Sequence, residues 1–265
     1  MVVNVAKLTF NTDVRINGKV VPSHNSPTST FKQHIINELQ GTASLEQFGA
    51  IQFTSSGVAK DSLSNMNYQF TKTNQLQLYG SYTPSSSYTL DGMKIITKNN
   101  NTYFTTSITP ISVTQGIPVN FSWTVTLDIA NRNPSGFLSK FSIDATSDYS
   151  RLLSAILQIF LGGRNATSPT GISLKPSKVE VIGQDGATII ASSTNITASY
   201  DSSTSTVKWK TDIFKVTQVS GNNEYINRIV FRDTLSNFGL IVWEWLQYEY
   251  VNVNDYIQIE LDIGV

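Results

Sequence analysis

A segment near residue 30 recurs about 120 residues later, and this repetition constrains the fold more than any other feature of the chain. A chain built from two copies of one unit must bury each copy's apolar face in a similar way. Residues 29–41 (STFKQHIINELQG) align with residues 150–162 (SRLLSAILQIFLG) at an offset of 121. Apolar positions coincide along the segment, and Gly41 falls on Gly162. The sequence therefore predicts an internal duplication.

A second match closes each half. Residues 122–130 (SWTVTLDIA) align with residues 256–264 (YIQIELDIG) at an offset of 134. The first offset, continued without a gap, places residues 51–53 on residues 172–174. Because the offset grows from 121 to 134, we expect the second half to carry 13 extra residues in its middle.

The boundary between the halves is expected near Asn131–Ser139. Pro134 and Gly136 interrupt the apolar periodicity there, as residues of a connecting segment commonly do. We predict two domains, residues 1–132 and residues 137–265. Each is close to the commonest domain size.

Each half contains one segment with helical periodicity. Phe31, Ile35, Ile36 and Leu39 share one face and predict a helix over Thr28–Gln40. Thr28 or Ser29 provides a side-chain oxygen for the helix start, and Gly41 ends it. The second helix is predicted over Asp148–Leu161. Its apolar stripe is wider, so we expect it to be more deeply buried.

Most of the remaining sequence alternates between apolar and polar residues. Residues 121–129 and 257–263 follow this pattern, and so does the segment in which Glu180 separates Val179 from Val181. One dry and one wet face is typical of strands in antiparallel sheets, and turn signals such as Asn17-Gly18 separate the strands. We predict a mainly β fold of two tandem antiparallel β-sandwich domains, jelly-roll-like, each with one principal α-helix.

Composition excludes several classes of function. The chain has no cysteine, which excludes disulfides, thiol nucleophiles and cysteine-ligated zinc. Nineteen Lys and Arg balance 19 Asp and Glu, so no charge surplus favours nucleic acid or an anionic membrane. No apolar stretch is long enough to insert into a membrane. The amino-terminal residues lack the pattern of a secretory signal peptide.

Catalytic and metal-binding patterns are weak. The two histidines, His24 and His34, have no nearby partner in the sequence, and we expect both to be solvent-exposed without a special role. Carboxylate pairs could support glycoside hydrolysis; the candidates are Asp128 with Asp262 and Glu244 with Glu249. Asp128 and Asp262 belong to different repeats, so we expect them to lie far apart. We predict no catalytic residue, no metal, no cofactor and no enzymatic activity.

One strand is unusually aromatic. Trp243, Trp245, Tyr248 and Tyr250 lie in the segment LIVWEWLQYEYVNV. If it is a central strand, these rings fill the core. If it is exposed, they form a subunit interface or a platform on which sugar rings stack. Both alternatives remain open at this point.

Four Asn-x-Ser/Thr sequons occur, at Asn100, Asn120, Asn165 and Asn195. Each is a possible site of glycan attachment on an exposed surface. Small polar neighbours make Asn165 and Asn195 the most accessible, whereas Asn120 opens a strand.

The combination of two sandwich units, no cysteine, no signal peptide and a charged fraction of only 14% resembles virion structural proteins. The similarity is to tandem jelly-roll turret or tail proteins of viruses that infect thermoacidophilic archaea, and Ile111–Ile129 also resembles terminal strands of phage tail and fibre sandwiches. This resemblance implies a virion surface subunit at a turret, vertex or tail. Its partners would be copies of itself or other virion proteins, and host surface glycans are a further candidate. The alternative is a secreted, extracellular carbohydrate-binding or adhesive module.

Overall fold

The computed structural model describes residues 6–130, 137–138, 141–142, 145–161, 173–219, 224–233, 239–245 and 250–265. For residues 24, 224 and 242–245, and for the strand residues between 137 and 147, it describes the backbone alone. These residues form a mainly β fold with two helices and several sheets, as the alternating pattern predicts.

The first half begins with three strands and a helix, and seven longer strands follow. The elements are β1 (Ala6–Ile16), β2 (Lys19–Val20), β3 (Ser23–Pro27), α1 (Ser29–Gln40), β4 (Phe48–Ser55), β5 (Val58–Leu63), β6 (Asn67–Lys72), β7 (Gln75–Tyr82), β8 (Tyr88–Thr97), β9 (Thr102–Val113) and β10 (Val119–Ala130).

The second half also has its helix near the start, and it contains several very short strands. The elements are β11 (Phe137–Leu138), β12 (Phe141–Ser142), β13 (Ala145–Asp148), α2 (Ser150–Phe160), β14 (Lys178–Gly183), β15 (Ile189–Ser193), β16 (Ile196–Asp201), β17 (Thr206–Thr211), β18 (Phe214–Lys215), β19 (Glu224–Arg232), β20 (Gly239–Trp245), β21 (Tyr250–Val251), β22 (Tyr256–Ile257) and β23 (Glu260–Gly264).

Both predicted helices are confirmed within two residues at each end. The Thr28 hydroxyl accepts the Phe31 N–H at the start of α1, and Gly41 ends that helix in the left-handed conformation with φ 70°. That conformation is strained for any side chain, so a glycine is favoured there. In α2 six of eleven residues are buried, against five of twelve in α1. The deeper burial of α2 is therefore also confirmed.

A single eight-stranded sheet, the shared sheet, contains strands from both halves. Its order is β16-β17-β23-β1-β10-β7-β6, with β2 beside β1. The halves meet where β1 pairs in parallel with β23, Ala6 opposite Ile263. This joint links the two ends of the chain. Residues 131–136 and 139 lie outside the described residues, and the division into two domains stays a prediction.

Two further sheets pack on one face of the shared sheet. The first has the order β3-β9-β8-β4-β5, and the second has the order β13-β20-β19-β14-β15. Phe53 of the first sheet meets Phe121 of the shared sheet with ring centroids 5.2 Å apart. Phe231 of the second sheet meets Trp209 at 6.0 Å. Each half thus has two apposed sheets with a buried apolar layer between them.

The strand orders of the two halves correspond element by element. The two smaller sheets have matching strand orders after each helix: the positions of β4, β5, β8 and β9 in the first sheet are those of β14, β15, β19 and β20 in the second. In the shared sheet, β6, β7 and β10 correspond to β16, β17 and β23, and β1 lies between the two sets. The predicted match of residues 122–130 with residues 256–264 agrees with this correspondence. The match of residues 51–53 with 172–174 is wrong, because β4 corresponds to β14 and a longer connection follows α2.

The correspondence approximates a two-fold rotation. β10 runs antiparallel to β1 and β23 runs parallel to it, so β10 and β23 point in opposite directions. Each helix also contacts the opposite half: α1 packs on β16 and β17, and α2 packs on β7. Phe160 of α2 reaches Phe48 and Tyr103 of the first half, with ring centroids 5.7 Å away in both cases. The buried apolar residues accordingly form one continuous core.

The prediction of one solvent-exposed face for the segment that forms β14 is wrong. Glu180 and Ile182 alternate with Val179 and Val181, yet all four side chains are buried. β14 is an inner strand of its sheet, and Glu180 is accommodated by ion pairs with Lys178, at 2.7 Å, and Arg232. Burial raises the pKa of Glu180, but the two cations more than offset it and hold that pKa below its usual value.

Candidate functional site

The aromatic strand of the sequence lies inside the second half. Trp243 and Trp245 belong to β20, whose backbone pairs with β13 on one side and β19 on the other. The side chains of both tryptophans, and all of Tyr248, lie outside the described residues. Tyr250 lies in β21, is 47% exposed and packs against Tyr225 with ring centroids 4.0 Å apart. β21 pairs with β19, the same strand that β20 pairs with. Tyr250 is the only one of the four aromatic residues whose side chain is described, and the choice between core and interface for this segment stays a prediction.

Of the two predicted glycan-attachment sites Asn165 and Asn195, the structure describes Asn195. Asn195 is exposed immediately before the edge strand β16, and its carbonyl accepts the Asp212 N–H at 3.0 Å. Asn165 lies outside the described residues. Asn195 thus meets the geometric requirement of an accessible side chain, and glycosylation there stays a prediction.

The paired carboxylates considered from the sequence do not converge. Asp128 lies opposite Thr9 of β1, and the neighbour of Asp262, Ile263, lies opposite Ala6. β1 separates the two carboxylate-bearing strands, so strand spacing and residue rise place the pair roughly 15 Å apart. That separation exceeds the range used by either class of glycosidase. Glu249 and the Glu244 side chain lie outside the described residues.

His34 is not the exposed, unpartnered histidine expected from the sequence. It is half-buried on α1, and its Nδ1 lies 2.7 Å from the hydroxyl of Tyr103, a fully buried residue on β9. The same hydroxyl accepts the Glu46 N–H at 2.9 Å. A partner 69 residues away could not be inferred from the neighbours of His34. His24 is described by its backbone alone.

The Glu46 carboxylate extends this cluster to the β8–β9 hairpin. It accepts hydrogen bonds from Thr97 Oγ1 at 2.6 Å, from Asn101 Nδ2 at 2.9 Å and from Asn99 Nδ2 at 3.0 Å. Burial opposes ionisation, but these donors more than offset it, and the pKa of Glu46 is lowered. The cluster contains no hydroxyl or amine activated as a nucleophile, and it ties α1 to the hairpin.

A second buried carboxyl lies between the halves. Glu38 is 5% exposed near the end of α1 and accepts N–H groups from Leu45, at 2.7 Å, and from Leu174, at 3.4 Å. Burial raises the pKa of this carboxyl above its usual value, and the two N–H donors only partly offset the effect. Leu174 belongs to the second half, so Glu38 bridges segments 136 residues apart.

The strongest candidate for a contact surface is a group of short strands that only the second half possesses. The connection from β17 to β19 covers residues 212–223, and that from β20 to β23 covers residues 246–259. The corresponding connections of the first half, residues 83–87 and 114–118, have five residues each. We call residues 212–219 and 250–259, which include β18, β21 and β22, the flap.

Backbone hydrogen bonds hold the flap together and attach it to its sheet. β18 pairs with β22, and Val216 exchanges hydrogen bonds with Asn254 and Asp255 at 2.9–3.0 Å. The Thr217 N–H donates to the Ile190 carbonyl of edge strand β15 at 2.8 Å. These bonds satisfy polar backbone groups of a strand edge. The flap is therefore an ordered part of the second half.

The flap presents apolar and aromatic side chains to solvent. Eight large apolar or aromatic side chains are exposed within the described part of the chain, and four of them lie in the flap. These are Ile213 at 62%, Tyr256 at 55%, Tyr250 at 47% and Val253 at 45%. Lys215 lies over the Tyr256 ring, with its Nζ 5.2 Å from the centroid. This surface is not predictable from the sequence, because these residues are scattered singly between polar neighbours.

Within the described part of the chain, no group of three or more His, Asp or Glu side chains is placed to hold a metal ion. Neither described helix is long and apolar enough to cross a membrane. No protein-family model, no curated protein and no solved structure matches the chain.

Proposed function

We propose that this chain is a non-enzymatic structural subunit of a virion surface, at a turret, vertex or tail, that acts by assembly and surface presentation. The observation that carries this proposal is the exposed apolar surface of the flap. A fold with a continuous core and a neutral polar exterior does not need such side chains for its own stability. Half of the large apolar or aromatic side chains that are exposed among the described residues lie in the flap, and exposed apolar surface commonly marks contacts with other proteins.

The architecture supports the finer part of the proposal, two tandem jelly-roll-like sandwiches. In the first half β1 pairs with β10, β3 with β9, β4 with β8 and β6 with β7. Strands therefore pair from the outside of the segment inwards, as in a long two-stranded ribbon that has been rolled up. The second half repeats the pairs from β13 with β20 inwards. Duplication of one such unit accounts for both patterns.

A second copy of this chain is the proposed occupant of the flap surface. The flap adds β18 and β22 beside the edge strand of the second half, whereas the first half has only short connections at the equivalent places. Its apolar side chains project from a backbone that is already hydrogen-bonded, so contact with a neighbour requires little ordering. Symmetric self-contact through one patch is the commonest form of homo-oligomer.

Sedimentation velocity over a range of concentrations tests the proposal. The double variant Ile213→Ser/Tyr256→Ser removes apolar area from the flap and should raise the dissociation constant of self-association at least tenfold, about 1.4 kcal/mol. Ile117→Ser is the matched control, since Ile117 is 59% exposed in the equivalent short connection of the first half. It should leave self-association unchanged.

A wild-type chain that stays monomeric at all accessible concentrations would count against self-assembly through the flap. Mass spectrometry of purified virus particles tests the location, and absence of the chain from them would refute a virion role. Turnover in a broad glycosidase and esterase screen would refute the non-enzymatic assignment.

A further inference from the structure

The outer face of the shared sheet carries a polar trough in the first half, with a volume of about 370 Å³. Short side chains of β10 form its floor, and longer side chains of β1 and β7 form its walls. The floor residues are Thr124 and Thr126, between Asn11 and Asp13 on β1 and Gln75 and Gln77 on β7. The walls are two strand spacings apart, roughly 10 Å. A trough results because neighbouring strands differ in side-chain length.

The wall on β7 is held in place by hydrogen bonds between side chains. Gln75 Nε2 donates to Thr126 Oγ1 at 2.9 Å, and the Thr71 hydroxyl donates to Gln75 Oε1. Gln69 Nε2 donates to Gln77 Oε1 at 2.6 Å. This ladder fixes both wall amides, and it does not use the amide nitrogen of Gln77 or the hydroxyl of Thr124. Groups fixed in advance lose less conformational entropy when a ligand binds.

The trough is close to electrically neutral. Its two charged residues, Asp13 and Arg15, lie at the same wall and form an ion pair with Arg15 Nε 3.9 Å from Asp13 Oδ2. Every other lining side chain is a hydroxyl or an amide. An anionic ligand such as nucleic acid would need several cations, and the centre of a protein interface would need apolar side chains.

The second half provides an internal comparison, because an ion pair occupies the place equivalent to the Gln75 end of the trough. Thr126 lies opposite Gln75, and its counterpart Glu260 lies opposite Lys210. The Lys210 ammonium binds the Glu260 carboxylate at 2.6 Å. Lys208 bridges Glu260 and Asp262 at 3.5 and 3.8 Å. An ion pair thus fills this place in the second half, whereas Gln75 and Thr126 of the first half are neutral.

We propose that the trough of the first half binds a neutral oligosaccharide. Each sugar hydroxyl donates and accepts, and the side-chain amides and hydroxyls of the trough do the same. Tyr79 follows Gln77 on the same face of β7 and is partly exposed, so its ring is available to pack against a sugar ring at the end of the trough. This inference does not rest on the assembly role of the flap.

Isothermal titration calorimetry tests the proposal with four neutral hexasaccharides, built from glucose in α-1,4 linkage, glucose in β-1,4 linkage, mannose and N-acetylglucosamine. At least one should bind with a dissociation constant of about 1 mM or lower. The variant Gln75→Lys/Thr126→Glu installs the ion pair of the second half and should weaken this binding at least tenfold. Because both residues already occur at the equivalent place, the variant should retain the fold, which its far-UV circular dichroism spectrum checks.

Ser199→Glu is the matched control, since Ser199 is exposed on the same face of β16 in the second half. It should leave binding unchanged. If the ion-pair variant fails to fold, Thr124→Ala/Gln77→Ala replaces it, with the same expected loss. The proposal is overturned if none of the four sugars binds, if the trough variants bind as tightly as the wild type, or if a heparin hexasaccharide binds more tightly than all four.

Discussion

At the level of single residues, Glu38 and Glu46 have pKa values that are shifted in opposite directions. The two shifts have different causes. Glu38 is enclosed between the halves with only backbone N–H groups to compensate its charge, so burial dominates and its pKa is raised. Glu46 is also partly buried, but three side-chain donors surround it and its pKa is lowered. The two residues are therefore expected to contribute oppositely to the pH dependence of stability.

Glu38→Gln and Glu46→Gln should separate these contributions. The Glu38 contribution is fully present below the ordinary glutamate pKa, about 4.3, and is lost as pH rises through the raised folded value. Glu38→Gln cannot ionise, so it should gain stability relative to the wild type as pH rises. The Glu46 contribution is present above the ordinary pKa and is lost as pH falls. Glu46→Gln should therefore be least stable, relative to the wild type, near neutral pH.

Urea unfolding of both variants and the wild type at a series of pH values measures these differences. Identical pH profiles for the two variants would contradict the opposite assignments. A Glu38→Gln variant that becomes less stable than the wild type with rising pH would show that the charged form of Glu38 is the stabilised one.

At the scale of elements, the end of α1 depends on a residue from the other half. The last carbonyls of a helix have no partner within it. Those of Asn37 and Glu38 accept the N–H groups of Thr42 and Gly41 at 2.9 and 3.0 Å. The Leu39 carbonyl accepts a hydrogen bond from Trp209 Nε1 at 2.8 Å, and the two residues are 170 positions apart in the sequence. An indole of the second half thus completes the cap of the first helix.

Trp209→Phe should destabilise the chain by about 1–3 kcal/mol more than Trp123→Phe. Both tryptophans are almost fully buried, and both changes remove similar volume. Trp209→Phe removes the hydrogen bond to the Leu39 carbonyl and leaves that carbonyl without this donor. Trp123→Phe removes no such bond, because Trp123 Nε1 has no hydrogen-bond partner among the described residues. Urea unfolding of both variants measures the difference in their free energies of unfolding, provided that the m-value is unchanged. Equal losses in the two variants would mean that the Leu39 bond contributes nothing.

Structural features that depend on residues close in the sequence could be predicted. Features that depend on residues distant in the sequence could not. Helical spacing gives both helices within two residues at each end, and the caps Thr28 and Gly41 add to it in α1, because those signals act over a few positions. The alternation of apolar and polar residues indicates which face of a strand is buried, but not which strand lies beside it. The pairing of β1 with β23 was therefore not predictable.

The candidate site shows the same division. The sequence identified a cluster of aromatic residues in one strand, but the exposed surface is spread over the two connections that form the flap. Ile213 and Tyr256 are separated by more than forty residues and are brought together by the pairing of β18 with β22. The trough is not predictable from the sequence for a related reason: Gln75, Thr126 and Asn11 become neighbours only through strand register.

At the scale of the whole molecule, the approximate two-fold arrangement makes the two halves depend on each other. The shared sheet continues across the joint between β1 and β23, and each helix packs on strands of the opposite half. The buried side chains of the two halves also form one cluster, so the two apolar layers are in contact. This arrangement resembles a dimer formed within one chain, with β1 occupying the central position.

The interlocked core predicts a single cooperative unfolding transition for the entire chain. Leu78→Ala in β7 and Leu261→Ala in β23 each empty a nearly fully buried site, so each should cost about 2–5 kcal/mol. In native-state hydrogen exchange, either change should lower the opening free energy of amides in β7 and in β17 by the same amount, because both strands open only in global unfolding. Independent domains would respond differently: Leu78→Ala would weaken protection in β7 alone, Leu261→Ala would weaken it in β17 alone, and urea unfolding would show two steps.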